Sequence, residues 1–285
     1  MSEIKDRRAA FNAVIEQELK SGELVFPTSM QAAVKIRRAL EAPDAGLSSV
    51  AKVINLEPLL SVKLLRMANS VFFNSSGVDV TDVQRALMRV GVNNARTLAF
   101  AVIGDQLASA AEFAPVWRLA DQLWRHSLDV ASLAYSIAVQ VDFPVPDTVL
   151  LAGMVHDIGQ FYLLSRVHDF PELLNEESEL AEFILDWNRR VSQAVLVALG
   201  TPEQIIEALE EQDECSGVWP PHKLSDILFL ANSAAGTPNP FSTVSLEELI
   251  AHRQQAFEGV DYETVNHLLD EARIRRAAAM AMLTA

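Results

Sequence analysis

Apolar residues recur at spacings of three and four along nearly all of the 285-residue chain, and this period constrains the fold more than any other feature. Such spacing gives a helix one apolar face, whereas half-buried strands require strict alternation, which is scarce here. The sequence therefore predicts an all-α protein. A first helix is expected over Met1 to Lys20, and those of the acidic half are expected over 115–140, 146–165, 177–199, 202–212, 222–235 and 244–283.

Capping signals mark helix starts in the first third of the chain. Thr28 with Gln31, and Thr81 with Gln84, have capping-box spacing, in which two side chains satisfy free backbone N–H groups. Pro58 follows a tight break and suits the first turn of a helix. No internal repeat or low-complexity linker separates the two halves of the chain, so we expect them to pack as lobes.

Composition indicates a cytoplasmic protein that does not enter the membrane. No apolar run approaches 18 residues, and no basic segment followed by an apolar one opens the chain, so we expect neither a membrane span nor a secretory signal. The single cysteine, Cys215, cannot form an internal disulfide and fits a reducing compartment.

The net charge of −15 is unevenly distributed. Residues 23–110 carry nine basic and seven acidic side chains, whereas residues 111–285 carry ten basic and 27 acidic ones. An acidic surface repels nucleic acid and anionic lipid, so the charge favours protein partners. Leu47 to Arg66 has the outline of a helix-turn-helix, with Lys52, Lys63 and Arg66 as candidate phosphate contacts. Its leucines fit a core better, and we do not expect DNA binding.

A His-Asp pair stands in the apolar run Leu151-Ala-Gly-Met-Val-His-Asp-Ile-Gly159, where unpaired polar groups are costly. His126 precedes His156 by thirty residues, enough for two packed helices to bring it against His156 and Asp157. Two imidazoles and one carboxylate form a partial metal shell. The alternative is that hydrogen bonds or a water satisfy the trio as a structural element. A second pair, His168-Asp169, stands before Phe170 and fits helix-end packing.

The stretch from Phe26 to about Ala234 is similar to the HDOD (HD-related output domain) family of bacterial signalling proteins. The matching segments follow the family's order and spacing. They are Phe26-Pro-Thr-Ser29, Leu64-Leu-Arg-Met-Ala-Asn-Ser70, Ala86-Leu-Met-Arg-Val-Gly91, Trp124-Arg-His-Ser127, the His-Asp run, Leu199-Gly-Thr-Pro202 and Leu228-Phe-Leu-Ala-Asn-Ser233.

This resemblance implies a multi-helix fold in which an N-terminal helical lobe packs on an HD-like helical bundle. It implies an HDOD domain over 23–236, with lobes at 23–110 and 111–236, between helical extensions at 1–22 and 237–285. It also implies a regulatory role, with kinship to the HD metal-dependent phosphohydrolases. The implied partners are receiver or cyclic-dinucleotide signalling proteins; the oligomeric state stays open.

The same comparison counts against catalysis, because the further ligand positions of active HD enzymes fall on Asn188, Glu211, Gln212 and Asn232. An amide oxygen is a weak ligand for a transition metal. We therefore expect a non-catalytic module that acts through protein-protein interaction and needs no cofactor. The alternative is a divergent metal-dependent phosphohydrolase that acts on nucleotides or phosphoesters, with a divalent metal held by His126, His156 and Asp157.

Overall fold

The computed structural model describes residues 2–24, 47–55, 58–75, 77–95, 97–99, 102, 116–167, 170, 173–174, 177–199, 201–215, 217–242 and 245–284. These residues form twelve α-helices and no strand, which confirms the all-α prediction. The helices are α1 (Ser2–Ser21), α2 (Leu47–Asn55), α3 (Pro58–Ala68), α4 (Val83–Val90), α5 (Trp117–Gln140), α6 (Pro146–Val155), α7 (Ile158–Val167), α8 (Glu177–Ala198), α9 (Glu203–Glu211), α10 (Leu224–Ala234), α11 (Leu246–Ala256) and α12 (Tyr262–Thr284). Within these ranges, no helix is both long enough and apolar enough to cross a bilayer.

Helices α2, α3 and α4 pack on one another around apolar side chains that are almost completely buried, among them Ile54, Leu64 and Leu87. The capping residue of α4 is Asp82, whose carboxylate accepts a hydrogen bond from the backbone N–H of Arg85. The predicted cap was one residue earlier, at Thr81. The predicted cap at Thr28 lies outside the described residues.

Helix α5 packs against α6, α10 and α12. Its contact with α6 is unusually close, because a Cβ added at Gly153 would lie 2.6 Å from Ala131 Cα. The neighbouring pair α7 and α8 is equally close at Gly159. Glycine at these two positions allows the backbones that carry the candidate residues to approach each other.

Helix α1 packs on α7 and α8. The Phe11 ring meets Phe183 edge-on with the centroids 4.7 Å apart, and the Tyr162 hydroxyl donates to Glu18 at 2.8 Å. The first helix is thus built into the common core. The division at residue 22 stays a prediction.

Two predicted helices are each broken in the structure. The range 146–165 consists of α6 and α7, with His156 and Asp157 in the turn between them. The range 244–283 consists of α11 and α12, because Gly259 has a φ of +82° and Asp261 caps α12 by accepting from Thr264 N. The apolar period continues across both breaks, so it did not reveal them.

Candidate metal centre and its pocket

Three helices bring His126, His156 and Asp157 together. His126 lies in the middle of α5, His156 ends α6, and Asp157 precedes α7. All three are buried, and one ligand atom from each lies within 4.8 Å of the others. His156 Nε2 lies 3.2 Å from His126 Nε2 and 3.0 Å from Asp157 Oδ2, and His126 Nε2 lies 3.5 Å from the same oxygen.

The second nitrogen of each imidazole fixes its protonation. His126 Nδ1 lies 2.7 Å from the carbonyl oxygen of Thr237, and His156 Nδ1 lies 2.8 Å from that of Gly153. A carbonyl only accepts, so each Nδ1 carries the hydrogen, and the neutral ring leaves an Nε2 lone pair. Two Nε2 lone pairs and a carboxylate oxygen therefore point at one another. A proton or a cation between them would relieve their repulsion.

Burial and neighbouring charges shift the pKa of all three side chains and bear on where a proton would reside. Burial lowers the pKa of His126, and the neighbouring His156 lowers it further. Burial also opposes a charge on His156, but the Asp157 carboxylate outweighs it and raises the pKa of His156. Asp157 is likewise held below its ordinary pKa despite its burial, chiefly by His156. A proton on His156 Nε2 would be donated to Asp157.

Amide side chains donate hydrogen bonds to both oxygens of Asp157. Gln160 Nε2 donates to Oδ1 at 2.9 Å, and Asn239 Nδ2 donates to Oδ2 at 2.7 Å. The Asn239 side chain is oriented in turn by the backbone N–H of Phe241, which donates to its Oδ1 at 2.8 Å. The carboxylate is thus held in place from the loop that follows α10.

The same loop holds His126 through a second set of contacts. Thr237 accepts from His126 with its carbonyl oxygen, and its backbone N–H donates to Asp129 Oδ2 at 2.7 Å. Arg276 on α12 pairs with Asp129 Oδ1 at 3.2 Å and donates to the Thr237 hydroxyl at 3.1 Å. Hydrogen bonding of the distal ring nitrogen orients a ligating histidine.

Sequence reasoning missed Gln160, Asn239, Thr237, Asp129 and Arg276. Two of these residues carried a signal, since Asp129 and Gln160 are polar residues within apolar helical stretches. The loop residues and Arg276 carried none, because their role depends on how the loop folds back on α5 and α7.

A polar pocket of about 340 Å³ opens beside the centre, with His156 and Asp157 in its wall. Asn188, Gln212 and Asn232, three of the four predicted replacement positions, also line it. Glu211 is not in the lining; its carboxylate lies 3.6 Å from Lys223 Nζ and accepts from Ser225. The pocket wall facing the His-Asp pair is therefore rich in amides.

Two charged side chains in the pocket were not predicted. Arg189 on α8 and Glu210 on α9 both line it. An arginine at a pocket wall can bind carboxylate or phosphate through two parallel hydrogen bonds. The pocket is thus equipped for a polar or anionic occupant.

The three ligand atoms fit one cation. Zinc bonds of about 2.0–2.1 Å in tetrahedral geometry place ligand atoms roughly 3.3 Å apart. The observed separations of 3.0, 3.2 and 3.5 Å agree with that value. Three protein ligands beside an open pocket are also the number found in catalytic zinc sites.

The remaining candidates lie elsewhere. His168 and Asp169 lie outside the described residues. Lys63, a candidate phosphate contact, is only 6% exposed, and Leu60 and Leu64 beside it are core residues. These positions place part of the segment in the core, whereas Lys52 and Arg66 are exposed. The expectation that the segment does not bind DNA stays a prediction.

Comparisons with known proteins agree with this architecture. A family model described as HDOD domain matches residues 26–213. A candidate metal-dependent phosphohydrolase from Shewanella amazonensis SB2B is 23% identical, with a TM-score of 0.69 over 96% of this chain and 99% of that chain. An HDOD domain protein from Geobacter sulfurreducens is 19% identical, with a TM-score of 0.58 over 99% of this chain and 100% of that chain. A candidate signal transduction protein from Marinobacter aquaeolei VT8 is 17% identical, with a TM-score of 0.52 over 97% of this chain and 65% of that chain. These three structures share the fold.

A curated relative, an uncharacterized protein from Treponema pallidum (strain Nichols), is 24% identical over 148 residues. The match covers 52% of this chain and 27% of that protein, so the chain spans about a quarter of that relative. The family model, in contrast, covers more than half of the chain, and this protein therefore belongs to the HDOD family.

Proposed function

We propose that this chain is a regulatory signalling module that acts by binding protein partners and does not turn over a substrate. The observation that carries the proposal is the hydrogen bonding of the Asp157 carboxylate. Both of its oxygens accept hydrogen bonds from protein amides, and one of them also pairs with His156. A buried carboxylate satisfied in this way is a stable structural element and needs no metal to compensate it.

The pocket wall supports the same conclusion. Within the described residues, His126, His156 and Asp157 form the one cluster of three side chains that could hold a metal. Asn188, Gln212 and Asn232, which line the pocket, are neutral amides at the positions where the family resemblance implies further ligands in active HD enzymes. An amide adds no charge to offset a cation, and two-metal hydrolysis needs ligands for both ions.

A role in signalling rests on the family and on the nature of its relatives. The chain belongs to the HDOD family, and a solved structure with the same fold is a candidate signal transduction protein. The acidic half, with 27 acidic side chains in residues 111–285, favours a protein surface as partner over nucleic acid.

A second function, metal-dependent phosphohydrolysis, is favoured by one specific observation: three ligand atoms at metal-like separations beside an open pocket. A divalent ion held by His126, His156 and Asp157 would supply Lewis acidity and an activated water. Arg189 would hold the phosphate of the substrate in the pocket. A solved structure with the same fold is a candidate metal-dependent phosphohydrolase.

Metal content and activity of the full chain separate the two functions. Protein purified without chelator is analysed for metals and assayed on nucleotides and nitrophenyl phosphoesters with added Mn²⁺, Ni²⁺ or Mg²⁺. We expect no stoichiometric metal and no turnover above that of His156→Ala. His222→Ala, which changes an exposed histidine outside the pocket, is the matched control. Stoichiometric metal and turnover, both lost in His156→Ala and kept in His222→Ala, would establish the hydrolase and overturn the regulatory module.

Partner binding is tested directly. The tagged chain is used to recover proteins from its own cells, and each candidate is purified and mixed with the chain. We expect a defined complex by gel filtration with light scattering, and we expect His156→Ala to retain it if that variant keeps its helicity. Failure of every recovered protein to form a complex would contradict the proposal.

A further inference from the structure

A second cavity, of about 470 Å³, lies beside α5 and shares no lining residue with the polar pocket. Helix α5 lines it from Leu128 to Tyr135 at spacings of three and four, and α6 and α12 each contribute residues at helical spacing. The remaining wall comes from the first third of the chain, through residues such as Met67 and Phe73. We call this the apolar cavity, and its volume falls within the range of small-molecule sites.

The walls of the apolar cavity are almost entirely hydrocarbon. Leu98, Leu128 and Met154 are buried beneath it, while Phe72 and Ile274 at its edge are 63% and 64% exposed. Exposed apolar side chains around a concave apolar surface are typical of a ligand site. The cavity therefore fits the apolar body of a small molecule.

Two hydroxyl groups in the cavity have no hydrogen-bond partner among the residues that the structure describes. Ser132 is only 4% exposed, and its hydroxyl has no hydrogen bond to any described residue. The Tyr135 hydroxyl, one helical turn further along α5, also has none within the described ranges. Burial raises the pKa of Tyr135, which keeps this hydroxyl a donor. Buried polar groups normally have partners, so the Ser132 hydroxyl is available to a ligand acceptor. The Tyr135 side chain is only partly buried, and its hydroxyl can also reach a ligand at this position.

A cation stands beside these hydroxyls. The Arg275 guanidinium lies 4.4 Å from the centroid of the Tyr135 ring and 5.7 Å from that of Phe72. Its nearest carboxylate, Glu271, is 3.9 Å away, beyond hydrogen-bond distance, and Arg275 makes no hydrogen bond to the described part of the chain. An arginine beside aromatic rings can use its N–H donors to bind a planar anion.

We propose that the apolar cavity binds a small apolar molecule that ends in a carboxylate. The hydrocarbon lies against Leu98, Leu128 and Met154, and the carboxylate accepts hydrogen bonds from Arg275 and from the Ser132 and Tyr135 hydroxyls. Two carboxylates, those of Glu271 and Asp147, also line the cavity. Glu271 lies 3.9 Å from the Arg275 guanidinium, and Asp147 accepts from Asn94 at 3.1 Å. An amine end is disfavoured because it would face Arg275. This site is separate from the metal centre and does not depend on the proposed function.

Titration calorimetry with the full chain tests the site, using decanoate, decan-1-ol and decylamine below their micelle concentrations. We expect saturable one-to-one binding of decanoate, at least tenfold tighter than binding of decylamine. Arg275→Met should weaken decanoate at least tenfold and leave decan-1-ol within about threefold. Arg273→Met, which changes an exposed arginine of the same helix outside the cavity, should bind like the unaltered chain.

A second variant, checked for its helicity, distinguishes loss of ligand binding from loss of the fold. Ser132→Leu fills the cavity and removes a hydroxyl, so it should abolish binding of both decanoate and decan-1-ol, and circular dichroism verifies that the helicity is kept. If Ser132→Leu does not fold, the proposal is tested by comparing decanoate binding of Arg275→Met with that of Arg273→Met. Absence of decanoate binding, equal affinity for decylamine, or equal effects of the two arginine variants would overturn the proposal.

Discussion

The second nitrogen of each histidine determines what the buried centre can do. Both Nδ1 atoms donate to backbone carbonyls. In the neutral rings both Nε2 atoms are therefore acceptors, and both lie beside the Asp157 carboxylate. Either a proton or a divalent ion between the three ligand atoms would relieve the repulsion between the carboxylate and the two lone pairs. The same three residues are thus compatible with a structural element and with a metal site, and the choice depends on the groups around them.

Asn239 is the residue outside the trio on which the centre depends most. It donates to Asp157 and to Gln160, and it accepts from Phe241 N. Asn239→Ala leaves Asp157 Oδ2 without this donor, so we expect a loss of about 1–3 kcal/mol in the free energy of unfolding. Asn232→Ala, at an exposed amide of the same pocket, should change it by less than about 0.5 kcal/mol. Urea titrations measure both; equal losses would show that Asn239 does not support the centre.

The sequence was sufficient to name the trio but not its supports. His126, His156 and Asp157 stand out because chemically active side chains are rare in apolar helices. Thr237 and Asn239 lie in a polar loop, where such residues are ordinary, and their contacts span 111 and 82 positions of the chain. Contacts at such distances depend on packing between elements, which a periodic pattern does not encode.

At the scale of elements, two close helix contacts position the centre, and glycine makes both possible. A Cβ at Gly159 would meet Ser192 Oγ and would lie 2.7 Å from Ser192 N and 2.8 Å from Asn188 O. Two of these three atoms are backbone and cannot move aside without separating α7 from α8. The turn at His156-Asp157, which the apolar pattern did not predict, is held at this contact.

Gly159→Ala should therefore destabilise the protein although alanine is the better helix former. We expect a loss of about 1–3 kcal/mol or more from overpacking, measured by urea denaturation. Gly236→Ala is the matched control, because its added methyl group would meet one atom, Asp129 Oδ2, at 3.3 Å. If Gly159→Ala were as stable as the control or more so, α7 and α8 would not be in close contact.

At the scale of the whole molecule, α1 connects the first residues of the chain to α7 and α8. Phe11 is fully buried against Phe170 and Phe183, so Phe11→Ala should cost about 3–5 kcal/mol of stability. Lys20→Ala changes a side chain that is 76% exposed and should have little effect. Both are measured by urea denaturation with fluorescence and circular dichroism. A mild effect of Phe11→Ala would mean that α1 is a separate extension, as the sequence division at residue 22 predicted.

The net charge of −15 acts on the molecule as a whole. Like charges repel more strongly in the compact state than in the unfolded chain, and salt screens this repulsion. We therefore expect the Tm to rise by several degrees when NaCl increases from about 10 to 200 mM, where the Debye length falls below about 10 Å. A variant with Glu207, Glu214 and Glu258 changed to Gln removes three exposed charges and should show a smaller rise. Thermal melts followed by circular dichroism measure both. A Tm that falls with salt would mean that ion pairs such as Arg276–Asp129 contribute more than the net repulsion costs.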